Sequence, residues 1–214
     1  MMRLPAAPRK IILVGLNYRD HARELGMPIP REPVIFLKPP TALIGHRQNI
    51  VYPDGVLRLD YEAELALVIK KEGRNIPERK VSSFIMGYTC LNDVTARDLQ
   101  KIDGQWTRSK SFDTFCPVGP RLVTKCDWHA LRIASYLNGE KKQDSTTANF
   151  IFSVPEIVSF ISRVMTLSPG DIISTGTPSG VGPMQSGDTV SVEIEQIGRL
   201  TNRVVKSHQG GLPE

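Results

Sequence analysis

Glu62 and Glu64 stand two residues apart in Asp60-Tyr61-Glu62-Ala63-Glu64-Leu65-Ala66-Leu67-Val68-Ile69, and on an extended chain that spacing turns both carboxylates to one side. Two acids held roughly 7 Å apart along a strand repel each other unless a cation or water relieves them. A divalent metal ion does so directly. Asp93, at the end of the next long apolar run, is placed to bring a third oxygen, and an all-oxygen set with open positions suits Mg2+, Mn2+ or Ca2+ better than zinc. A solvated edge face would show the same Glu-x-Glu pattern. Ala66 and Val68 argue against it, because they continue the glutamate face as small apolar residues.

Other residues could work beside such an ion. His21 and Glu24 lie three apart in Asn17-Tyr18-Arg19-Asp20-His21-Ala22-Arg23-Glu24, a helical spacing at which a carboxylate orients an imidazole and raises its basicity. That is the arrangement of a general base, and equally of an ordinary surface pair. Lys110 sits in a small, polar stretch, where its ammonium would either neutralise negative charge developing on a substrate or stay in solvent. Arg97 and Gln100 share one face of a predicted helical turn, as substrate contacts or, for Arg97, as half of a structural ion pair. The run Gly176-Thr177-Pro178-Ser179-Gly180-Val181-Gly182-Pro183 lacks the Gly-Lys-Ser/Thr ending of a phosphate loop and opens no evident helix. Its backbone N–H at Gly176 and hydroxyl at Thr177 suit a carboxylate instead. Trp106, Phe112 and Phe115 are pocket-lining candidates, although aromatics at such positions are commonly core.

The elements that must hold these groups follow from periodicity. Ile11 to Val14 reads as a buried strand, Asn17 to Leu25 as a helix stopped by Gly26, and Val34 to Leu37 as a second strand. The intervening proline-rich loop makes about 16–33 a lid candidate, and the run onward to Val56 reads as turns without periodicity. Tyr61 to Ile69 alternates as one strand with Ala63, Leu65, Leu67 and Ile69 facing a core. Pro77 starts a short helix, Phe84 to about Asn92 is a strand, and a helical turn is expected from Thr95 with Asp98 as its acidic partner. Asn138-Gly139 predicts a hairpin between Arg132–Leu137 and Lys141–Asp144. Ser153-Val154-Pro155-Glu156 caps an amphipathic helix with the stripe Ile157, Phe160, Ile161, Val164. Asp171 to Ser174, Thr189 to Glu195 and Leu200 to Val205 close the chain as strands. The fold class is therefore β-rich α+β, in a single domain spanning 1–214.

Composition excludes several functions. The chain has 27 basic and 22 acidic residues, a net charge of +5, but the basic residues are dispersed and do not cluster with aromatics, which disfavours nucleic acid. A basic binding protein without catalysis is the low-ranked alternative. Three cysteines, Cys90, Cys116 and Cys126, lack Cys-x-x-Cys spacing, which argues for reduced thiols rather than a disulfide framework or zinc ribbon. No apolar run approaches the ~20 residues of a membrane span. The basic residues from Met1 to Lys10 lead straight into a strand-like run too short for a signal sequence, so the cytoplasm is the expected location.

Four motifs together, Asp60 to Ala66, Asn92-Asp93-Val94-Thr95-Ala96-Arg97-Asp98, Ser109-Lys110-Ser111-Phe112-Asp113, and Thr175 to Gly182, resemble the signatures of the fumarylacetoacetate hydrolase family, in family order and from about Gly15 to Val205. The resemblance is to short acylpyruvases and oxaloacetate decarboxylases, and to related bacterial hydratases, isomerases and decarboxylases of aromatic catabolism. It implies a mixed β-sandwich roll, a homodimer without the N-terminal SH3-like domain of longer members, and Mg2+ or Mn2+ on Glu62, Glu64 and Asp93. It further implies that His21 and Glu24 form a water-activating dyad, that Lys110 is catalytic, and that Arg97 and Gln100 contact substrate. The expected reaction is cleavage of a small 2-oxo acid beyond C3, by acylpyruvate hydrolysis or oxaloacetate decarboxylation. The alternative is isomerisation or tautomerisation of 2-oxo or 2-hydroxy-diene dicarboxylates.

Overall fold

Alternating apolar residues make strands wherever both strand faces find cover, and the computed structural model, which describes residues 7–207, shows three sheets built this way. The start of the N-terminal basic stretch lies outside the described residues. Numbering strands in chain order, the seven-stranded sheet runs β2 (Val34–Lys38), β1 (Ile11–Gly15), β12 (Ile172–Ser174), β6 (Ala63–Ile69), β7 (Ile85–Asn92), β9 (Cys116–Val123), β3 (Leu43–Ile44). A five-stranded sheet runs β11 (Glu140–Thr146), β10 (Arg132–Leu137), β14 (Thr189–Ile194), β15 (Gly198–Lys206), β4 (Asn49–Tyr52). A small third sheet pairs β13 (Gly182–Met184), β5 (Leu59–Tyr61) and β8 (Thr95–Ala96). Four α-helices are described: α1 (Arg19–Glu24), α2 (Arg97–Asp103), α3 (Thr107–Lys110) and α4 (Val154–Val164). The β-rich α+β reading holds, and no described helix is long and apolar enough to cross a membrane.

Strand β6 is buried at every position because it has a core on each face. Ala63, Leu65, Leu67 and Ile69 join Ile157 and Ile161 of α4 and Ile133, Val192 and Ile194 of the five-stranded sheet. Ala66 and Val68 point the other way, among Ile11, Leu13, Leu91 and Ile172. Nearly all of that second cluster comes from the seven-stranded sheet itself, so the sheet curls around its own side chains. Helix α4 carries the predicted capping box, with the Ser153 hydroxyl accepting from the Glu156 N–H and Glu156 reaching back to the Ser153 N–H. Its stripe ends sooner than the periodicity suggests, since Val164 is exposed. Cys90 and Cys116 are buried, Cys126 is partly buried, and all three are free thiols.

Three local expectations are corrected. The strand read as continuous from Tyr61 breaks at Glu62, which lies between β5 of the small sheet and β6 of the large one. Thr95 begins no helix: it pairs with Asp60 in the small sheet and its hydroxyl donates to the Asp93 carbonyl at 2.9 Å, so the helix starts at Arg97. The stretch read as turns before Val56 contains β3 and β4, each pairing in parallel with a strand far along the chain.

Candidate metal centre and active site

The break at Glu62 and the strand end at Asp93 meet. The Asp93 N–H donates to the Glu62 carbonyl at 2.9 Å, and the Asn92 side-chain oxygen accepts from the Glu62 N–H at 2.9 Å. Glu64 is the second residue of β6, across from Leu91. As a result one carboxylate oxygen from each of Glu62, Glu64 and Asp93 lies within 4.8 Å of the other two, and all three residues are buried. Oxygens sharing one small cation at roughly 2.1 Å sit about 3 to 4 Å apart, so this donor set fits a hard divalent ion after small side-chain adjustments.

The surroundings support that fit. Ser174 Oγ donates to Glu64 Oε2 at 2.5 Å, and the Gly176 N–H donates to the same oxygen at 3.0 Å, which directs Oε1 away from those donors. Burial, then the nearby Asp93 and Glu62 charges, push the Glu64 carboxyl well above the usual carboxylate range, as expected for a crowded acid awaiting a cation. Burial works in the same direction on Glu62, but Lys110 and Arg97 outweigh it and hold that carboxyl well below the usual range. Asp93 Oδ1 is buried with no hydrogen bond directed at it, although Lys38 Nζ is 2.8 Å away. Lys38 Nζ is also within hydrogen-bond distance of the carbonyls of Val94, Lys110 and Phe115, at 2.9, 2.6 and 2.8 Å, so its ammonium is shared between those three oxygens and the Asp93 carboxylate.

Lys110, at the end of α3, reaches Glu62 Oε2 at 2.9 Å and Asp93 Oδ2 at 2.5 Å, fully enclosed. Burial disfavours its charge, yet the Asp93 and Glu62 charges outweigh it and raise its pKa. Arg97 bonds Asp60 Oδ2 at 2.9 Å, Gln100 Oε1 at 2.6 Å, and Glu62 Oε1. It thus serves as an ion-pair partner as well as a cavity wall.

These groups line one cavity of about 500 Å³, with His21, Arg97, Gln100, Lys110, Trp106 and Thr177 in its wall together with the three acids. That volume is typical of small-molecule sites. His21 Nδ1 is 2.8 Å from Glu24 Oε2, and Glu24 Oε1 accepts from the Gly180 N–H at 3.0 Å. The α1 segment is therefore seated on the glycine-rich loop, with His21 inside the cavity and Glu24 behind it. Gln143 fastens that loop to β6: its Nε2 donates to Thr177 Oγ1 at 2.8 Å and the Pro178 carbonyl at 2.9 Å, while its Oε1 accepts from the Ala63 N–H at 3.0 Å.

Not every predicted residue stands where expected. The Gly176 N–H, anticipated as a substrate donor, is committed to Glu64, and Gly176 is outside the cavity wall. Its glycine is required for another reason: φ is +91°, and an added Cβ would lie 2.9 Å from Asn17 Cβ. Trp106 lines the cavity and packs edge-on against Phe36. Phe115 is core, and Phe112 borders a separate hollow along α2 and α3, where the charged Arg108 and Asp103 pair with each other. Sequence reasoning missed Lys38, Asp60, Arg58, Ser174 and Gln143. Among them only Lys38 left a signal, a lone lysine closing an apolar strand before Pro39-Pro40.

Comparison with known proteins places the chain in a family. The family model for the fumarylacetoacetate (FAA) hydrolase C-terminal domain matches residues 10–205. An uncharacterised protein of Archaeoglobus fulgidus is 57% identical over 94% of this chain and 81% of its own. The bovine mitochondrial oxaloacetate tautomerase FAHD2A is 44% identical over 92% of this chain and 67% of its own. The crystal structure of 5-carboxymethyl-2-hydroxymuconate delta-isomerase from Mycobacterium smegmatis superposes with a TM-score of 0.90 at 47% identity, covering 97% of this chain and 83% of that one. The chain belongs to the fumarylacetoacetate hydrolase family.

Proposed function

We propose that this protein is a Mg2+- or Mn2+-dependent enzyme that forms the enolate of a small 2-oxo acid and moves a proton at C3, giving tautomerisation or isomerisation. The observation that carries the reading is one cavity lined both by the three-carboxylate cluster and by His21, whose Nδ1 is held from behind by Glu24. Glu62, Glu64 and Asp93 would hold the ion, which when bound draws electrons toward C2 of the oxo acid. His21 is the proton carrier: Nδ1 is held by Glu24, which leaves Nε2 as the nitrogen available to substrate. Lys110 supplies a fixed positive charge beside the carboxylates, where negative charge on the substrate oxygen would develop. The names of the bovine tautomerase and the mycobacterial isomerase support proton transfer as the step that this scaffold performs.

Cleavage of an acylpyruvate or decarboxylation of oxaloacetate starts from the same enolate chemistry, and the position of Glu24 favours keeping hydrolysis as the second reading. A carboxylate that orients His21 also allows the imidazole to activate water. The test is exchange of the C3 protons of oxaloacetate in D2O, followed by NMR with and without Mn2+, beside an assay of acetylpyruvate cleavage. Exchange should require the metal, vanish in Glu62→Ala, and fall roughly 100-fold or more in His21→Ala. Metal-independent exchange, or full exchange in Glu62→Ala, would overturn the reading.

A further inference from the structure

The glycine-rich loop from Thr177 to Val181 is packed against β11. Gly180 has φ of +90°, and an added Cβ would stand 2.4 Å from the Lys142 carbonyl, so only glycine lets the loop lie on that strand. The far end of the loop is held through the backbone of Gly180, whose carbonyl accepts from the Tyr61 hydroxyl at 3.1 Å and whose N–H donates to Glu24. The near end is held by a side chain of β11, Gln143, which is buried and stands outside the cavity wall.

An amide has a direction, and here two neighbours determine it independently. The Ala63 N–H can only donate, so the Gln143 atom 3.0 Å from it is the acceptor Oε1. The Pro178 carbonyl can only accept, so the Gln143 atom 2.9 Å from it is the donor Nε2. Both give the same orientation. Nε2 therefore directs its other N–H to Thr177 Oγ1 at 2.8 Å, and that oxygen is the acceptor. A hydroxyl that accepts from a fixed donor keeps its own hydrogen for another partner, and among the described residues Thr177 donates to none. Thr177 lines the cavity beside Glu62, Glu64 and Asp93. A buried O–H without an acceptor is costly, and a carboxylate, which only accepts, relieves it.

We propose that Gln143 is a positioning residue: by holding Thr177 Oγ1 as an acceptor, it commits the Thr177 hydrogen to the carboxylate of the bound acid. Ala63 lies between Glu62 and Glu64, so the same amide ties that donor to the backbone carrying two of the acids. The assignment rests on the 2-oxo acid reading above. The deciding experiment is calorimetric binding of pyruvate, the simplest 2-oxo acid, to the Mn2+-loaded protein, with Mn2+ affinity measured beside it. Thr177→Val should weaken pyruvate binding roughly tenfold and Gln143→Met roughly fivefold, each leaving Mn2+ affinity within about twofold. The double variant should bind pyruvate no worse than Thr177→Val, because Gln143 acts through a hydroxyl that is already gone. Gln143→Glu keeps the acceptor for Ala63 but replaces the donor by a second acceptor, which claims the Thr177 hydrogen. Its loss should exceed that of Gln143→Met and shrink roughly threefold in the Thr177→Val background, so it decides the matter even where methionine disturbs folding. Losses that simply add in the double variants, unchanged pyruvate binding in Thr177→Val, or a Gln143→Met defect that falls on Mn2+ affinity overturns the positioning role alone. If pyruvate does not bind the unaltered protein in a Mn2+-dependent way, the 2-oxo acid reading falls and the assignment falls with it.

Discussion

Strand β12 runs between two buried acidic groups that the fold treats in opposite ways. Just before it, Asp171 is fully buried and fully met: Oδ1 accepts from the Arg9 and Lys10 N–H groups at 3.2 and 3.3 Å, and Oδ2 from the Ser168 N–H at 2.7 Å and Lys10 Nζ at 2.5 Å. At its far end Ser174 touches Glu64, one of three acids crowded within 4.8 Å. There the cations are unevenly shared. Lys110 and Arg97 attend Glu62, Lys38 and Lys110 attend Asp93, and no basic side chain among the described residues pairs with Glu64. A buried acid is therefore no sign of a site in itself. What separates the two is incomplete satisfaction: at Asp171 the protein supplies every partner, a cation included, whereas beside Glu64 it places hydrogen-bond donors but no basic ion-pair partner among the described residues.

The largest expected effect comes from removing that unmet charge. Glu64→Gln keeps the shape and the oxygen facing Ser174 but withdraws a ligand, and Mn2+-dependent turnover should fall by roughly 1,000-fold. Stability of the metal-free protein should move the other way. The Glu64 pKa is raised in the folded state, so folding loses stability as pH rises from the ordinary carboxylate range through the raised value. The glutamine variant lacks that loss. In EDTA, urea unfolding at pH 5 and pH 8 should show the variant gaining on the parent at the higher pH. A variant that is destabilised at pH 8 would place Glu64 with Asp171 as a structural acid.

How much of this contrast could be read from residues alone depended on how local its causes are. The Glu62, Glu64 and Asp93 cluster was legible because an i, i+2 spacing and a strand end are local facts, and the Ser153 capping box and the Asn138-Gly139 hairpin were legible for the same reason. Lys38 was not, because its burial depends on carbonyls from Val94, Lys110 and Phe115, which only the folded topology gathers. β3 and β4 escaped notice because they are short and pair in parallel with β9 and β15, far along the chain, so neither has a hairpin partner to betray it. Thr95 failed as a helix start because pairing with Asp60 holds it extended. Asp171 and Glu64 look equally acidic in the sequence, and only their partners distinguish them.

The second test works on the satisfied acid. Asp171→Asn puts an amide donor where backbone N–H groups and the Lys10 ammonium already point, leaving donors without acceptors in a buried setting. Stability should drop by about 3 kcal/mol, read by urea unfolding, while Mn2+ affinity of the folded variant, read by calorimetry, stays unchanged. A substantial loss of metal affinity would mean that β12 couples its two ends, and the two regions could no longer be treated as independent.

The smallest and sharpest comparison uses two serines that each serve one of these acids. Ser174 gives its hydroxyl to Glu64, whereas Ser168 gives Asp171 its backbone N–H. Alanine therefore removes one bond and leaves the other intact, although both substitutions delete the same oxygen from a buried serine on the same stretch of chain. Ser174→Ala should weaken Mn2+ binding by roughly tenfold, the usual cost of losing a group that orients a ligand, because Glu64 Oε2 would then be held by the Gly176 N–H alone. Ser168→Ala should leave both metal affinity and the Asp171 cluster as they are. If calorimetry finds equal losses in the two variants, the effect comes from disturbing β12 as a whole, and the Ser174 hydroxyl has no specific hold on the metal centre.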